Sequence, residues 1–430
     1  MRQFILHDPP HRNISAPKSA TQAAIEETYS FDGPPDALIT VTGNVYLYFG
    51  GNGYLGLQAN PEVLASTCEA VLHYGVGTAT NRIAFTSPPV FEVERRVAEL
   101  LGTDSALYTA SGCTANQIML ESLEKTFERI FIDEAAHHSM FDAARRIHKK
   151  RCFPITFRHR SAADLKDKLD KNLQMHERPI VLTDGVFSQH AATAPLDEYI
   201  ELLSHYDGAS LWIDDAQGFG VLGETGRGTL EHFGIDTSLV NKTPEDTRWD
   251  GNEKKQEDYF AGYACGNTSA GAECCPLYLT VSLSKAAGGC GGVIAGSETF
   301  IQRIKDRSAA YFGASAPATP IAAATAKALS ILAEPQLRRK LKKNVMFLKA
   351  GLHSIGIETD ASPLPMVILT LGSAANMKRI QRELSEKGIL VSYLPRNTGL
   401  GSEGALRIAV FATHNETMIQ EFTSALSQCI

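Results

Sequence analysis

The chain of 430 residues contains no run of about eighteen apolar residues, the length that a membrane-spanning helix needs. Met1 to Pro10 lacks a basic start followed by a continuous apolar stretch, so nothing there reads as a secretory leader. Basic surplus is missing too. The 41 Lys and Arg residues fall short of the 48 Asp and Glu residues, and the net charge is −7. No stripe of Lys and Arg interleaved with aromatics is present, which sets nucleic acid aside as a partner. The eight cysteines, at 68, 113, 152, 265, 274, 275, 290 and 429, show no paired CxxC spacing, so a zinc site is not expected. Cys265, Cys274 and Cys275 group loosely and read as ordinary loop cysteines. Free thiols point to a reducing, cytoplasmic setting, and no repeat at solenoid spacing is visible.

What is present is enough apolar sequence, 43% of residues, to bury a full core, in a chain too long for one small domain. Residues 1–45 read as an N-terminal arm carrying one amphipathic helix over Lys18 to Tyr29. From Leu38 onward, short β-branched runs alternate with helical periodicity, the pattern of an α/β domain with a mostly parallel sheet. Strands are expected at Ser105 to Tyr108, Ile130 to Asp133, Ile180 to Thr183, Ser210 to Ile213 and Tyr278 to Leu283. Helices are expected at Pro89 to Leu101, Ala115 to Thr126 and Ser139 to Lys149. This large domain spans 46–318, interrupted at about 237–276 by a polar insertion without apolar period. A smaller α+β domain covers 319–430.

Three motifs carry chemistry. Thr280-Val281-Ser282-Leu283-Ser284-Lys285 ends an apolar strand and runs into small residues, leaving room beside the lysine for a flat cofactor; a tight Gly-rich connection is the plain alternative. Ser210-Leu211-Trp212-Ile213-Asp214-Asp215 runs a strand into two acids, at the sheet edge where α/β proteins bind ligands. An acid there can keep a pyridine nitrogen protonated, or simply cap a helix. Ser111-Gly112-Cys113-Thr114 opens a helix, where free N–H groups and hydroxyls make an anion cradle or a plain Ser cap. His137 and His138 follow the strand that ends at Asp133.

Taken together with Asn52-Gly53-Tyr54-Leu55-Gly56-Leu57, Thr183-Asp184-Gly185-Val186-Phe187-Ser188 and Gly223-Glu224-Thr225-Gly226-Arg227-Gly228, these motifs resemble those of the α-oxoamine synthases. These are the fold-type I pyridoxal phosphate acyltransferases, a family that includes 8-amino-7-oxononanoate synthase and 2-amino-3-ketobutyrate CoA ligase. The resemblance runs from about Val41 to Glu421. It implies that Lys285 carries pyridoxal phosphate as a Schiff base and moves the α-proton, that Asp214 pairs with the ring nitrogen, and that His137 stacks on the ring. It implies further that Gly112, Cys113 and Ser282, with Ser111 and Thr114, hold the phosphate, that Ser188 and Gln217 lie near the ring oxygen, and that Arg407 binds the substrate carboxylate. The implied reaction condenses a small amino acid with an acyl-CoA in a homodimer with shared active sites, Asn52 or Asn81 reaching across.

The chain departs from the family at several positions. Gln217 stands where relatives carry a histidine; glutamine donates a hydrogen bond but cannot take a positive charge. Gly313-Ala314 replaces a Ser-Thr pair that reaches a neighbouring subunit's phosphate, Val90 replaces a histidine, and Ser284 precedes the lysine in place of glycine. Gln217 is the feature that favours the alternative reading, another carbanion reaction such as aldol cleavage, decarboxylation or transamination. A non-catalytic homologue is the reading outside enzymes.

Overall fold

Strands Arg129–Asp133, Pro179–Asp184, Ser210–Asp214 and Leu277–Ser282 are buried almost throughout, the pattern of parallel strands covered by helices on both faces. They pair in parallel in that spatial order, and Ile155–Phe157 extends one edge in parallel. At the other side Gly292–Gly296 runs antiparallel between Leu277–Ser282 and Ser105–Thr109, which makes a mixed seven-stranded sheet. Alternation along each strand divides the core: Ile130, Ile132, Leu182 and Trp212 pack into one cluster, while Phe131, Val181, Ile213 and Leu279 pack into the other. The computed structural model describes residues 30–83, 85–147, 153–241, 275–395 and 401–430.

The C-terminal part is built on a three-stranded antiparallel sheet in which Ala405–Ala409 lies between Met366–Leu369 and Ser392–Leu394. Helices Pro335–Ser354 and Glu416–Ser427 pack against each other beside it. The two parts are stitched by the segment after Tyr48: Phe49 and Tyr54 carbonyls accept from the Ala409 and Ala412 amides, each at 2.7 Å. This docking carries residues 50–54 onto the strand that bears Arg407.

Every strand and helix expected in the large domain forms, with ends shifted by a few residues. Two elements find partners across the expected boundaries. Leu38–Val41 and Asn44–Tyr48, which straddle the expected start of the large domain, form a hairpin that pairs with C-terminal Ile389–Leu390; partners so distant in sequence leave no local signal. Helix Thr319–Ala333, placed at the start of the small domain, packs on helices Pro61–Tyr74 and Pro88–Leu101 of the large one, so its apolar face belongs to that core. The expected helix over 18–29, most of the 237–276 insertion, and Cys152, Cys265 and Cys274 lie outside the described residues. Cys68, Cys113, Cys275, Cys290 and Cys429 are free thiols. Among the described residues no helix is long and apolar enough to cross a membrane.

Candidate active site

Parallel register places a row of polar residues along one edge of the sheet. Asp184 lies opposite Asp214 and Thr280 opposite it on the other side, with Ser282 one step beyond, paired with Gly292. These are carboxyl ends of strands, where α/β sheets open a crevice. Asp214 is 8% exposed and accepts from Asn116 Nδ2 at 2.6 Å and from the Ala216 amide at 3.1 Å. Burial pushes its carboxyl above the usual range, against the pull of the Asn116 hydrogen bond, His137 and Lys285.

Asn116 is committed on every side. It donates also to Ser139 Oγ at 2.8 Å and accepts from Thr280 Oγ1 at 2.8 Å. Ser139 in turn lies 2.7 Å from His137 Nδ1, and the His137 amide donates to Asp184 Oδ1 at 3.0 Å. His137, exposed at the start of helix His138–Arg146, is thus held by both backbone and ring. Desolvation by the surrounding protein keeps its imidazole below the ordinary histidine range, outweighing the Asp214 charge.

The anion cradle forms where helix Gly112–Ser122 begins. Ser111 Oγ caps it by accepting from the Thr114 amide at 3.0 Å and lies 2.9 Å from Thr114 Oγ1. Ser282 Oγ and Ser284 Oγ stand 2.9 Å apart, and a Cβ built on Gly112 would meet Ser282 at 3.5 Å, so the two hydroxyl groups and the helix start face one space. Among the described residues the Gly112 and Cys113 amides have no acceptor, as the first turn of any helix leaves them. The cradle can sit this close to the sheet because residue 292 is glycine: a Cβ there would lie 2.6 Å from Gly112 Cα and 2.7 Å from Ser111 O.

Lys285 projects from the turn after Leu277–Ser282. It is half-buried, and its side-chain amine makes no hydrogen bond or ion pair among the described residues. Burial, then the Arg407 charge, lower its pKa, while Asp214 and Cys113 pull the other way. Lysine and aspartate therefore feel each other without touching, since no salt bridge within 4.0 Å joins them.

Arg407, 5% exposed, is pinned from four directions. Its Nη1 donates to Gly51 O at 3.1 Å and Gly50 O at 3.4 Å; its Nη2 donates to Asn52 Oδ1 at 2.5 Å and Tyr54 Oη at 3.0 Å. Tyr54 donates on to Gln217 Oε1 at 2.7 Å. Asn52 thus lies against Arg407 of its own chain, because residues 49–54 dock on the Arg407 strand. Asn81 lies apart on an exposed loop, where among the described residues its side chain accepts only from the Ile83 amide, at 3.2 Å. Ser188 follows the short strand Val186–Phe187 and makes no hydrogen bond to a described residue.

Asp215, the second acid of its motif, faces away from this space and has a structural duty. It accepts from the Thr229 amide at 2.7 Å and from Thr229 Oγ1, and burial pushes it up to about 7. The site also includes residues to which the sequence motifs assigned no role: Asn116, Tyr54, Thr280 and Asp184. Tyr54, Thr280 and Asp184 sit inside the motifs and Asn116 two residues past Thr114, but only the fold reveals what they touch.

Pyridoxal phosphate requires an amine, an acid at its ring nitrogen and an anion cradle, and these residues fit it. Asp214 gives the sharpest test. Two donors satisfy it, yet no cation contacts it among the described residues, so a protonated ring nitrogen would provide the charge that its burial otherwise denies it.

Comparison with known proteins agrees with this geometry. The sequence pattern of the class I and II aminotransferases matches residues 45–426. The putative 8-amino-7-oxononanoate synthase of Rippkaea orientalis is 29% identical over 398 residues, 92% of this chain and 93% of that one. 8-Amino-7-oxononanoate synthase 1 of Bacillus subtilis is 28% identical, covering 95% and 93%. Among solved structures, Sphingomonas wittichii serine palmitoyltransferase superposes with a TM-score of 0.77 at 22% identity, covering 92% and 90%. The S. paucimobilis enzyme, seen with bound pyridoxal phosphate, gives 0.77 at 20%, covering 94% and 91%. The shared fold is that of the fold-type I pyridoxal phosphate transferases.

Proposed function

The chain belongs to the class I and II aminotransferase family, and from that premise we propose that it is a pyridoxal phosphate-dependent acyltransferase joining a small amino acid to an acyl-CoA. One observation carries the reading: among the described residues the half-buried Lys285 amine has no partner, and it stands in the fields of both Asp214 and Arg407. When bound, pyridoxal phosphate supplies an electron sink for the pair released at the amino acid's α-carbon. The curated relatives named above favour the acyl-CoA partner.

Each residue then has a task. Asp214, fixed by Asn116, holds the proton on the ring nitrogen. His137 presents its imidazole to the ring face. The Ser111 to Thr114 helix start and Ser282 hold the phosphate. Arg407, whose planar fork suits a carboxylate, anchors the substrate so that its α-hydrogen faces Lys285. A lysine held below its usual range is neutral more of the time and can take that proton and return it. Ser188 and Gln217 border the ring oxygen.

The protein acts as a cytoplasmic homodimer. The support for the dimer is the number of exposed apolar residues in one stretch of chain, between the first two helices and on them, Leu72, Val76, Ile83, Phe85 and Phe91, side chains that a second copy would cover. Asn81 stands in this segment and would reach a neighbouring site.

The test loads the purified protein with pyridoxal phosphate, adds an acyl-CoA with glycine, alanine or serine in turn, and measures free CoA thiol. Release that needs both substrates and vanishes in Lys285→Ala supports the proposal. Amino acid consumed with no thiol released from any acyl-CoA would move the protein to an aldol, decarboxylation or transamination reaction.

A further inference from the structure

Tyr54 stands where the two ends of the site meet. Its side chain is fully buried. Arg407 Nη2 donates into its oxygen at 3.0 Å, and its single proton goes to Gln217 Oε1 at 2.7 Å. Two other acceptors are farther away: Asn52 Oδ1 at 3.3 Å, which already takes a hydrogen from Arg407, and the weakly accepting Met366 Sδ at 3.8 Å. A guanidinium only donates and a phenol has one proton to give, so donation runs one way, from Arg407 to Tyr54 to Gln217.

That direction decides which way the glutamine faces. An amide has an acceptor end and a donor end of nearly equal size, and something must choose between them. Here the oxygen is taken by Tyr54, and the nitrogen is the end left without a partner among the described residues. Were the amide reversed, two donors would converge on the tyrosine oxygen and its proton would turn to the more distant Asn52.

We propose that Tyr54 is a positioning residue that aims the Gln217 amide nitrogen at the cofactor ring and makes that aim sensitive to whether a substrate carboxylate occupies Arg407. The inference rests on the reading of the site as a pyridoxal phosphate enzyme. Both Nη groups of Arg407 are engaged, so a carboxylate arriving at Nη2 takes a hydrogen that now points at Tyr54 or Asn52. The change is passed to Gln217 through one hydroxyl.

A double-mutant cycle on the loaded enzyme tests this, with Tyr54→Phe and Gln217→Met alone and combined. Two quantities are read without acyl-CoA: the pH titration of the bound cofactor's absorbance, and the Kd of the amino acid from its spectral change. Both single variants should shift the absorbance titration alike, the double variant should shift it no further, and Tyr54→Phe should weaken amino acid binding about threefold to tenfold. Additive shifts, or a wild-type titration in Tyr54→Phe, overturn the inference while leaving the enzyme reading intact. If Tyr54→Phe does not fold, an unchanged titration in Gln217→Met alone overturns it. A wild-type protein that takes up no cofactor removes the underlying reading, and this inference with it, before any variant is made.

Discussion

Asn116 and Asp214 form a hydrogen bond of 2.6 Å between residues 98 positions apart, and among the described residues no other side chain donates to the buried acid. Because Asn116 also holds Ser139 and Thr280, its amide cannot turn to offer Asp214 its oxygen.

Asn116→Ala removes the strongest donor to a buried carboxylate. A hydrogen bond to a charged group contributes about 1.5–3 kcal/mol, so pyridoxal phosphate should bind roughly tenfold to a hundredfold more weakly. Asn116→Asp should be worse, since two acids would then share one buried space. Cofactor titration followed by absorbance measures both, and unchanged affinity in either variant would remove Asn116 from the site.

Arg407→Lys keeps the charge and loses the fork. A lysine ammonium has three hydrogens and no planar fork, so it cannot keep contacts to the 50–54 segment while donating side by side to both oxygens of a carboxylate. The KM for the amino acid should rise by roughly one to two orders of magnitude, with the KM for acyl-CoA held within a factor of about two. An equal rise in both constants would show that the residue shapes the whole cleft and does not read a carboxylate.

Much of this was legible in the sequence, and the reason is local. Lys285, Asp214 and the Ser111 cradle are each announced by an apolar strand running into functional residues, and strand ends in a parallel sheet converge on one edge. What stayed hidden depends on docking across the chain. Nothing near Tyr54 in sequence signals Gln217, 163 positions on, and nothing near Asn52 announces Arg407. Two contacts across the expected boundaries are hidden for the same reason: the 38–48 hairpin finds its partner at Ile389–Leu390, and helix Thr319–Ala333 finds its cover in Pro61–Tyr74 and Pro88–Leu101, far earlier in the chain.

Asp215 makes stability depend on pH in a direction unusual for an acid. Its folded pKa of about 7 lies above the unfolded value of 3.8. Between these values the native state binds a proton that the unfolded state does not. Its contribution is complete below pH 3.8 and is lost as pH rises through about 7, at up to about 1.4 kcal/mol per pH unit. Asp215→Asn keeps an acceptor for the Thr229 amide and carries no charge. Its Tm relative to wild type should therefore climb from about pH 5 to about pH 8. A constant difference across that range would show that the Asp215 pKa is not raised in the folded state.

Gly292 lets the cradle sit against the sheet. The Cβ introduced by Gly292→Ala would lie 2.6 Å from Gly112 Cα and 2.7 Å from Ser111 O. Both are backbone atoms that cannot swing aside, so the helix start must move. Overpacking of this kind costs about 1–3 kcal/mol, and here it falls on the groups assigned to the phosphate. Gly112→Ala is the matched control, since its Cβ would meet Ser282 at an ordinary 3.5 Å. Pyridoxal, which has the aldehyde and ring but no phosphate, distinguishes a damaged cradle from a damaged fold. Gly292→Ala should weaken binding of pyridoxal phosphate about tenfold or more and leave pyridoxal nearly unchanged, whereas Gly112→Ala should affect both slightly. Equal losses for the two ligands in Gly292→Ala would place the phosphate somewhere other than the start of helix Gly112–Ser122.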